Sequence, residues 1–358
     1  MAKITINDVA AKANVSPATV SRVLNGGSVK EDLIQRTYAA IEALGYEVKT
    51  KKKHNGTQEV PLMGVIVPEI ASPFYSEIIA GIMEVASANG YELLIRSSFG
   101  KQARERENLE ALAKTSISAL IYYPIATIES IYEIPLYKKI PVVIGGRQIK
   151  DETFSKVYFD NEKAGYLATK YLARLGRKKI VYLGPIHDLE KPIMSFEEFM
   201  ALQDEYRGFY VSMSRFQGYQ KALAEEHIEF RPELVKLSGY RWQDGYEIAR
   251  ELITQMIEVD AIVAANDVVA TGILKFLKEQ GIRVPEDISI IGYDNRTVAV
   301  ISQPLLTTID QDAALLGKTC VASALKHMEE GSTSEVVLDV SLVVRHSTCV
   351  PSKIQVNV

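Results

Sequence analysis

Two cysteines, Cys320 and Cys349, are all that 358 residues contain. They are too few to staple a fold, so a reducing setting with both thiols free is expected. Nowhere does an apolar run approach the roughly 18 residues of a membrane span. The first residues, Met1 to Asp8, hold no apolar stretch of signal-peptide length, so a cytoplasmic rather than an exported protein is expected, with no membrane partner. The five histidines (His54, His187, His227, His327, His346) show no metal-ligand spacing. No glycine-rich phosphate loop and no nucleophile motif is present. No metal, no cofactor and no catalytic residue is therefore expected. The acid pairs Glu197-Glu198 and Glu329-Glu330 read as solvated helix faces.

What is there is an ordinary globular composition, 47% hydrophobic and 24% charged, with a length that suits two or three compact units. The net charge of −4 is unevenly spread. Residues 1–54 carry nine basic groups against five acidic ones, a net +4, which leaves −8 on the remainder. A basic end on an acidic body suits one end that touches a polyanion; a solvated charge run is the alternative.

Residues 4–46 read as three short helices. Thr5 with Asp8 caps the first, from Ile6 to Ala13. Ser16 with Pro17 opens the second, which stops near Asn25-Gly26-Gly27. The third runs from Glu31 to Leu44, with Ser28 and Glu31 as a possible capping box. Val9, Ala13, Val15, Val20, Val23, Leu24, Leu33, Ile41 and Leu44 can share one small core. Residues 47–61 are polar, basic and aperiodic, the mark of a linker. From Leu62 onward, continuous apolar strands alternate with amphipathic helices, which indicates parallel sheets covered on both faces. About ten such strands are too many for one sheet and predict two α/β lobes. Ligands of open α/β sheets bind at the carboxyl ends of strands, and two lobes make a cleft there. Residues 187–208 fit neither pattern and read as an insertion beside the cleft.

The stretch from Ile6 to Asn25 is two short helices joined by a tight turn at Asn14, a residue that tolerates left-handed backbone. Val15 and Val20 point inward, while Pro17, Ala18, Ser21, Arg22 and Asn25 project from the exposed side of the second helix. That side fits a major groove about 12 Å wide. The hydroxyls of Thr5, Ser16 and Thr19 lie near helix starts, where phosphates are favoured. Arg22 is the base-reading candidate, since arginine can bond guanine O6 and N7 together.

This stretch resembles the helix-turn-helix signature of the LacI/GalR family of repressors, matched from Ile6 to Leu24. Further motifs in order are Gly64-Val-Ile-Val-Pro-Glu-Ile-Ala-Ser-Pro-Phe74, Phe159-Asp-Asn161, Ala265-Asn-Asp267, Arg283-Val-Pro-Glu-Asp-Ile-Ser289, Ile291-Gly-Tyr-Asp-Asn295, Leu306-Thr-Thr-Ile-Asp-Gln311 and Leu342-Val-Val-Arg-His-Ser-Thr348. The expected architecture is an all-α helix-turn-helix N-terminal domain (1–46), a basic linker (47–61), an α/β two-lobed periplasmic-binding-protein-like effector domain (62–348) and a tail (349–358). Lobe 1 takes 62–161 plus 309–340, and lobe 2 takes 162–308 plus 341–348. The resemblance implies a homodimer on a near-palindromic double-stranded DNA operator, controlled by a small-molecule, sugar-type effector. It places the effector on Phe74, Tyr75, Arg147, Arg215, Tyr240, Asn266, Asp294 and Gln311, a set whose aromatics and hydrogen-bonding groups suit a sugar. Alternatives stand beside this: Asp294 as a turn cap, Phe74 as core, and Trp242 either in the cleft or in ordinary packing. Gly146 stands where many relatives carry a carboxylate just before Arg147, which makes an acidic or phosphorylated sugar more plausible than usual without favouring it outright. The competing class is a sugar-binding transport-type protein of the same fold. Pro17 and Ala18, at the positions the family varies to choose operators, can touch only thymine methyls or bare base edges.

The linker departs from the family, most of whose members carry an Ala-Arg-x-Leu hinge with a minor-groove leucine wedge. Here Lys52-Lys-His-Asn55 stands instead, which offers no apolar wedge: either the basic run attracts phosphates, or the segment is a charged linker with no defined contact. Replacing Lys49, Lys51, Lys52 and Lys53 by Gln should flatten the slope of log K against log salt by up to about 3–4 units. Operator titrations from low to moderate salt check this, and an unchanged slope counts against any linker contact with phosphate.

Overall fold

The change of periodicity near residue 60 is matched by a division of the chain into two units, Met1–Glu59 and Val60–Val358. The computed structural model describes residues 5–24, 29–44, 60–125, 129–185, 197, 200 and 211–351. The linker from 47 to 59, the stretch Asn25 to Ser28, nearly all of the 187–208 insertion and the tail from 352 lie outside the described residues, as do the side chains of Leu24 and Glu31.

The first unit holds α1 (Ile6–Ala13), α2 (Pro17–Leu24) and α3 (Glu31–Leu44). Thr5 donates its N–H and its hydroxyl to Asp8 Oδ2, both at 2.7 Å, which opens α1. Asn14 closes it in the left-handed region, φ 53°. Ser16 Oγ accepts the Thr19 N–H at 3.1 Å, and Pro17 fills the first helical position, where no donor is missed. Val9, Ala10, Ala13, Val20 and Ala40 form the core, with Ile6, Val15, Ile41 and Leu44 against it. Val23 is buried and Leu33 half-buried. Arg36 of α3 donates to the carbonyls of Ala13 and Asn14 at 2.9 and 3.2 Å. A cation thus meets the carbonyl end of α1, where the helical ladder has run out.

The second unit contains two six-stranded sheets. The first has the order β11-β5-β4-β3-β1-β2, from β1 (Leu62–Val67), β2 (Glu92–Ser97), β3 (Ile117–Tyr122), β4 (Val142–Gly145), β5 (Ser155–Phe159) and β11 (Glu335–Leu338), all parallel. The second has the order β12-β10-β9-β8-β6-β7, from β6 (Ile180–Pro185), β7 (Val235–Ser238), β8 (Ala261–Val263), β9 (Ser289–Asp294), β10 (Thr307–Asp310) and β12 (Ser341–Val343). Among the described residues only β12 runs antiparallel, to β10. The first lobe carries α4 (Pro73–Ala88), α5 (Gln102–Ala113), the short α6 (Glu129–Tyr132) and α12 (Ala313–Glu330). The second carries α7 (Asn161–Arg174), α8 (Val211–Glu225), α9 (Trp242–Thr254), α10 (Asp267–Glu279) and α11 (Thr297–Ile301).

The chain crosses between lobes three times, and an aspartate stands at each crossing. Asp160 accepts the Lys163 N–H at 2.9 Å and caps α7. Asp312 accepts the Leu315 N–H at 2.8 Å and caps α12. Asp339 accepts the Val340 N–H at 2.8 Å between β11 and β12. The second crossing corrects the expected lobe boundary. Ile309 and Asp310, assigned above to lobe 1, pair with Tyr293 and Asp294 in the second sheet, because β10 continues the ladder of β9 and the chain leaves only at Gln311. Cys349, assigned to the tail, is also held by lobe 2: its carbonyl accepts from buried Arg177 at 3.1 Å and its N–H donates to Ser289 Oγ at 3.2 Å. Both cysteines are free thiols.

Three helix pairs approach backbone to backbone, each through a glycine on both members. A Cβ at Gly81 of α4 would lie 2.2 Å from the Ala314 carbonyl oxygen of α12, and one at Gly317 would lie 2.2 Å from that of Ile78. Gly165 of α7 meets the Arg215 carbonyl at 1.9 Å on the same construction, and Gly218 of α8 meets that of Glu162 at 2.0 Å. Gly245 of α9 meets Val269 at 2.1 Å, and Gly272 of α10 meets Trp242 at 1.8 Å. One of these contacts falls on Arg215, which the family resemblance places at the cleft, and another on Trp242, for which the sequence leaves cleft and ordinary packing open. Gly165→Ala must push α8 away at Arg215. A loss of about 1–3 kcal/mol of unfolding free energy is expected, as for other overpacked interiors. Urea unfolding checks it, and an unchanged midpoint would mean that α7 and α8 separate freely.

Candidate functional site

The strands of both sheets end, at their carboxyl ends, on one gap between the lobes. Its lining follows directly after β1 (Glu69 to Tyr75), β3 (Tyr123, Pro124), β4 (Gly145 to Arg147), β7 (Tyr240 to Gln243), β8 (Ala265, Asn266, Val268), β9 (Asp294) and β10 (Gln311). The cavity measures about 410 Å³, within the size range of small-molecule sites. All eight residues expected at the effector site line it, and Trp242 lines it too.

Arg215 is the most heavily bonded of them. Its Nε donates to Asn161 Oδ1 at 3.1 Å, one terminal nitrogen to the Ala265 carbonyl at 3.1 Å and the other to Gln311 Oε1 at 3.0 Å. Its guanidinium carbon lies 4.1 Å from the centre of the Tyr293 ring. One cation therefore ties the first crossing, β8 and the second crossing together, with terminal N–H groups to spare for a ligand. Arg147 donates through Nε to the Pro124 carbonyl at 3.2 Å. Phe74 and Tyr75 meet edge to face at 5.5 Å, and Tyr75 meets Tyr123 likewise at 5.9 Å. Asn266 is largely committed to structure: Oδ1 accepts the Val269 N–H at 2.7 Å to cap α10, and Nδ2 reaches the Tyr240 carbonyl at 3.4 Å.

Asp294 is the opposite case. It sits at φ 96°, a strained conformation of the kind that accumulates at functional sites. No donor bonds to its carboxylate among the described residues. The aspartate that serves the following turn is Asp267, whose Oδ2 accepts the Arg296 N–H at 2.7 Å. Asp294 is thus not a turn cap, and its oxygens remain available to the cavity.

Of the residues expected at DNA, Thr5, Ser16, Pro17, Ala18 and Arg22 are exposed and Thr19 and Ser21 half-exposed. Ser16 and Thr19 share a hydroxyl contact of 2.9 Å at the start of α2. Asn25 lies outside the described residues.

Residues 5–48 match the model of bacterial regulatory proteins of the lacI family. Residues 169–348 match that of the periplasmic binding protein-like domain. The HTH-type transcriptional repressor PurR of Haemophilus influenzae (strain PittEE) is 31% identical over 352 residues, covering 96% of this chain and 98% of its own. The chain belongs to the lacI family of bacterial regulatory proteins. The HTH-type transcriptional regulator RegA of Clostridium saccharobutylicum is 29% identical and covers 96% of this chain and 99% of its own. The transcriptional regulator CelR, solved as a cellobiose complex, superposes with a TM-score of 0.69 at 26% identity, covering 96% of this chain and 99% of that one. As a lacI-family member the protein is a DNA-binding transcriptional regulator with a ligand-binding domain. No helix among the described residues is long and apolar enough to cross a membrane.

Three further residues of this family member escaped the sequence reading. Arg296 is 6% exposed. It donates to the carbonyls of Asp294 and Gln311 and pairs across the gap with Glu77 of α4. Glu105 of α5 is buried and accepts from the Tyr122 hydroxyl at 2.5 Å and the Ile125 N–H at 3.0 Å. Burial pushes its carboxyl up to about 7, against those two hydrogen bonds and the Arg147 charge. Glu105 lies in the run Gln-Ala-Arg-Glu-Arg-Glu, which reads as a solvated face; only the apolar Leu109 and Leu112 along the same helix hint that this side turns inward.

Burial likewise pushes the Asp294 carboxyl up to about 6, with Arg215 pulling the other way. Asp267, buried and facing the charge of Asp294, is raised well above its usual range. A carboxyl raised above its unfolded value of about 3.9 stabilises the native state most below that value and loses the contribution as pH rises through about 6. The stability difference between wild type and Asp294→Asn should therefore shift in favour of the variant between about pH 4 and 6 and level off above. Thermal unfolding across that window checks it; a pH-independent difference would contradict the burial of the charge.

Proposed function

We propose that this regulator is a repressor of sugar-utilisation genes, acting in the cytoplasm as a homodimer on a near-palindromic operator and released or recruited by a carbohydrate held between its lobes. The observation that carries the reading is Asp294. A carboxylate held in a strained conformation on the cavity wall, with no protein donor among the described residues, is an acceptor awaiting paired hydroxyls. Phe74 and Tyr75 supply faces for sugar C–H groups, and Arg147, Arg215 and Gln311 supply donors. CelR, whose solved complex contains cellobiose, and a relative named as the ribose operon repressor support the same class. No catalytic step is needed: ligand that touches both lobes favours one lobe arrangement, and only that differential affinity can alter operator binding. At the operator, Arg22 reads a base, with Pro17, Ala18, Ser21 and Asn25 along the groove and Thr5, Ser16 and Thr19 on phosphates.

The test is operator titration with and without candidate sugars for wild type, Asp294→Asn, Arg215→Ala and Arg22→Ala. The first two variants should lose the sugar response and keep operator affinity within a few-fold. Arg22→Ala should lose about 1–3 kcal/mol at the operator, with relaxed preference at one base pair per half-site. A wild-type sugar response in the cavity variants would place the effector elsewhere. A uniform loss over all sequences for Arg22→Ala would reduce that residue to a phosphate contact.

A further inference from the structure

The cavity extends beyond the groups that would hold one sugar ring. Its lining continues outward over the start of α9, through Arg241, Trp242 and Gln243, and over Glu69 on the loop after β1 in the other lobe. Trp242 is the chain's single tryptophan and is 43% exposed, although a side chain of this size usually buries most of its surface. Its backbone is pinned, because its carbonyl rests against Gly272 of α10 with no room for a Cβ between them. Its ring is steadied on one side only, edge-on to Tyr246 at 6.4 Å, which in turn stands edge-on to Phe276 at 5.2 Å. Among the described residues it has no other ring contact, and no acceptor meets its indole N–H. Arg241, Gln243 and Glu69 line the same cavity and give its rim polar groups. Arg241 is itself exposed, and among the described residues its side chain engages Asp244 alone, at 3.4 Å.

A rigid indole with open surface at the mouth of a polar-rimmed cavity is a platform for a flat, C–H-rich ring that also offers hydroxyls. We infer that the mouth is a second-ring subsite, with Trp242 as its specificity-determining residue, so that the effector is a disaccharide or glycoside rather than a single sugar. The first ring occupies the region of Asp294 and Arg215, and the second stacks on Trp242. This inference rests on the carbohydrate reading of the same cavity.

The experiment uses the full-length protein and two probe sets: glucose and galactose as single rings, cellobiose, lactose and maltose as double ones. As the only indole, Trp242 makes wild-type emission a direct reporter of mouth occupancy, and calorimetry serves for the variants. At least one disaccharide should bind about tenfold or more tighter than its component monosaccharide and shift the emission. Trp242→Ala should erase that advantage while changing monosaccharide affinity less than about twofold, and Trp242→Phe should restore part of it. Equal losses for single and double rings, or an advantage that survives Trp242→Ala, would overturn the second subsite and leave the carbohydrate site standing. Binding of no sugar in either set would overturn both.

Discussion

Backbone meets backbone at three helix pairs, and the cavity hangs from two of those contacts. Where Gly165 lets α7 touch the carbonyl of Arg215, the root of the central cation is fixed against the helix that follows the first crossing. Where Gly272 lets α10 touch the carbonyl of Trp242, the root of the rim aromatic is fixed in the same way. Interiors packed to crystal-like density transmit displacement rather than absorb it. A shift of a few tenths of an ångström between these helices would therefore reach the Arg215 hydrogen bonds directly. The third pair, Gly81 with Gly317, fixes α4 against α12 in the other lobe, so the two walls of the gap are built on the same device.

On that scaffold the cavity is electrostatically unfinished. Arg215 is supplied with protein acceptors and stacked on Tyr293, whereas Asp294 beside it has no donor among the described residues and is raised by burial. A cation anchored by protein acceptors next to an acid that lacks a donor among the described residues is a site preorganised for a ligand that brings hydroxyl groups. The ion pair of Arg296 with Glu77 spans the same gap without any ligand. A ligand need only add to an attraction between the lobes that already exists.

Local features were legible in the sequence. Asn14 in the left-handed turn, Ser16 as cap, Pro17 at the helix start and the alternation of strand and helix all follow from short-range chemistry, and each is found in place. The eight cavity residues were legible through family resemblance: seven of them follow the ends of strands, which converge on the gap, and Arg215 stands on α8. What was hidden is tertiary. Nothing near Glu105 in sequence says that a Tyr122 hydroxyl meets it, nothing joins Glu77 to Arg296 across more than two hundred residues, and the crossing at Gln311 depends on how far β10 stays paired with β9. Asn266 shows the converse limit, because a residue can lie at the right place and yet be largely occupied in capping its own helix.

Strands β11 and β12, the last two among the described residues, each form one edge of a different sheet. During synthesis the helical head emerges before the lobes, and each lobe waits for its closing strand until β11 and β12 have left the ribosome. A premature stop just before Glu335 removes one strand from each lobe at once. Damage at the carboxyl end is thus shared by both walls of the sensor, and a truncated product retains the DNA reader without an intact means of controlling it.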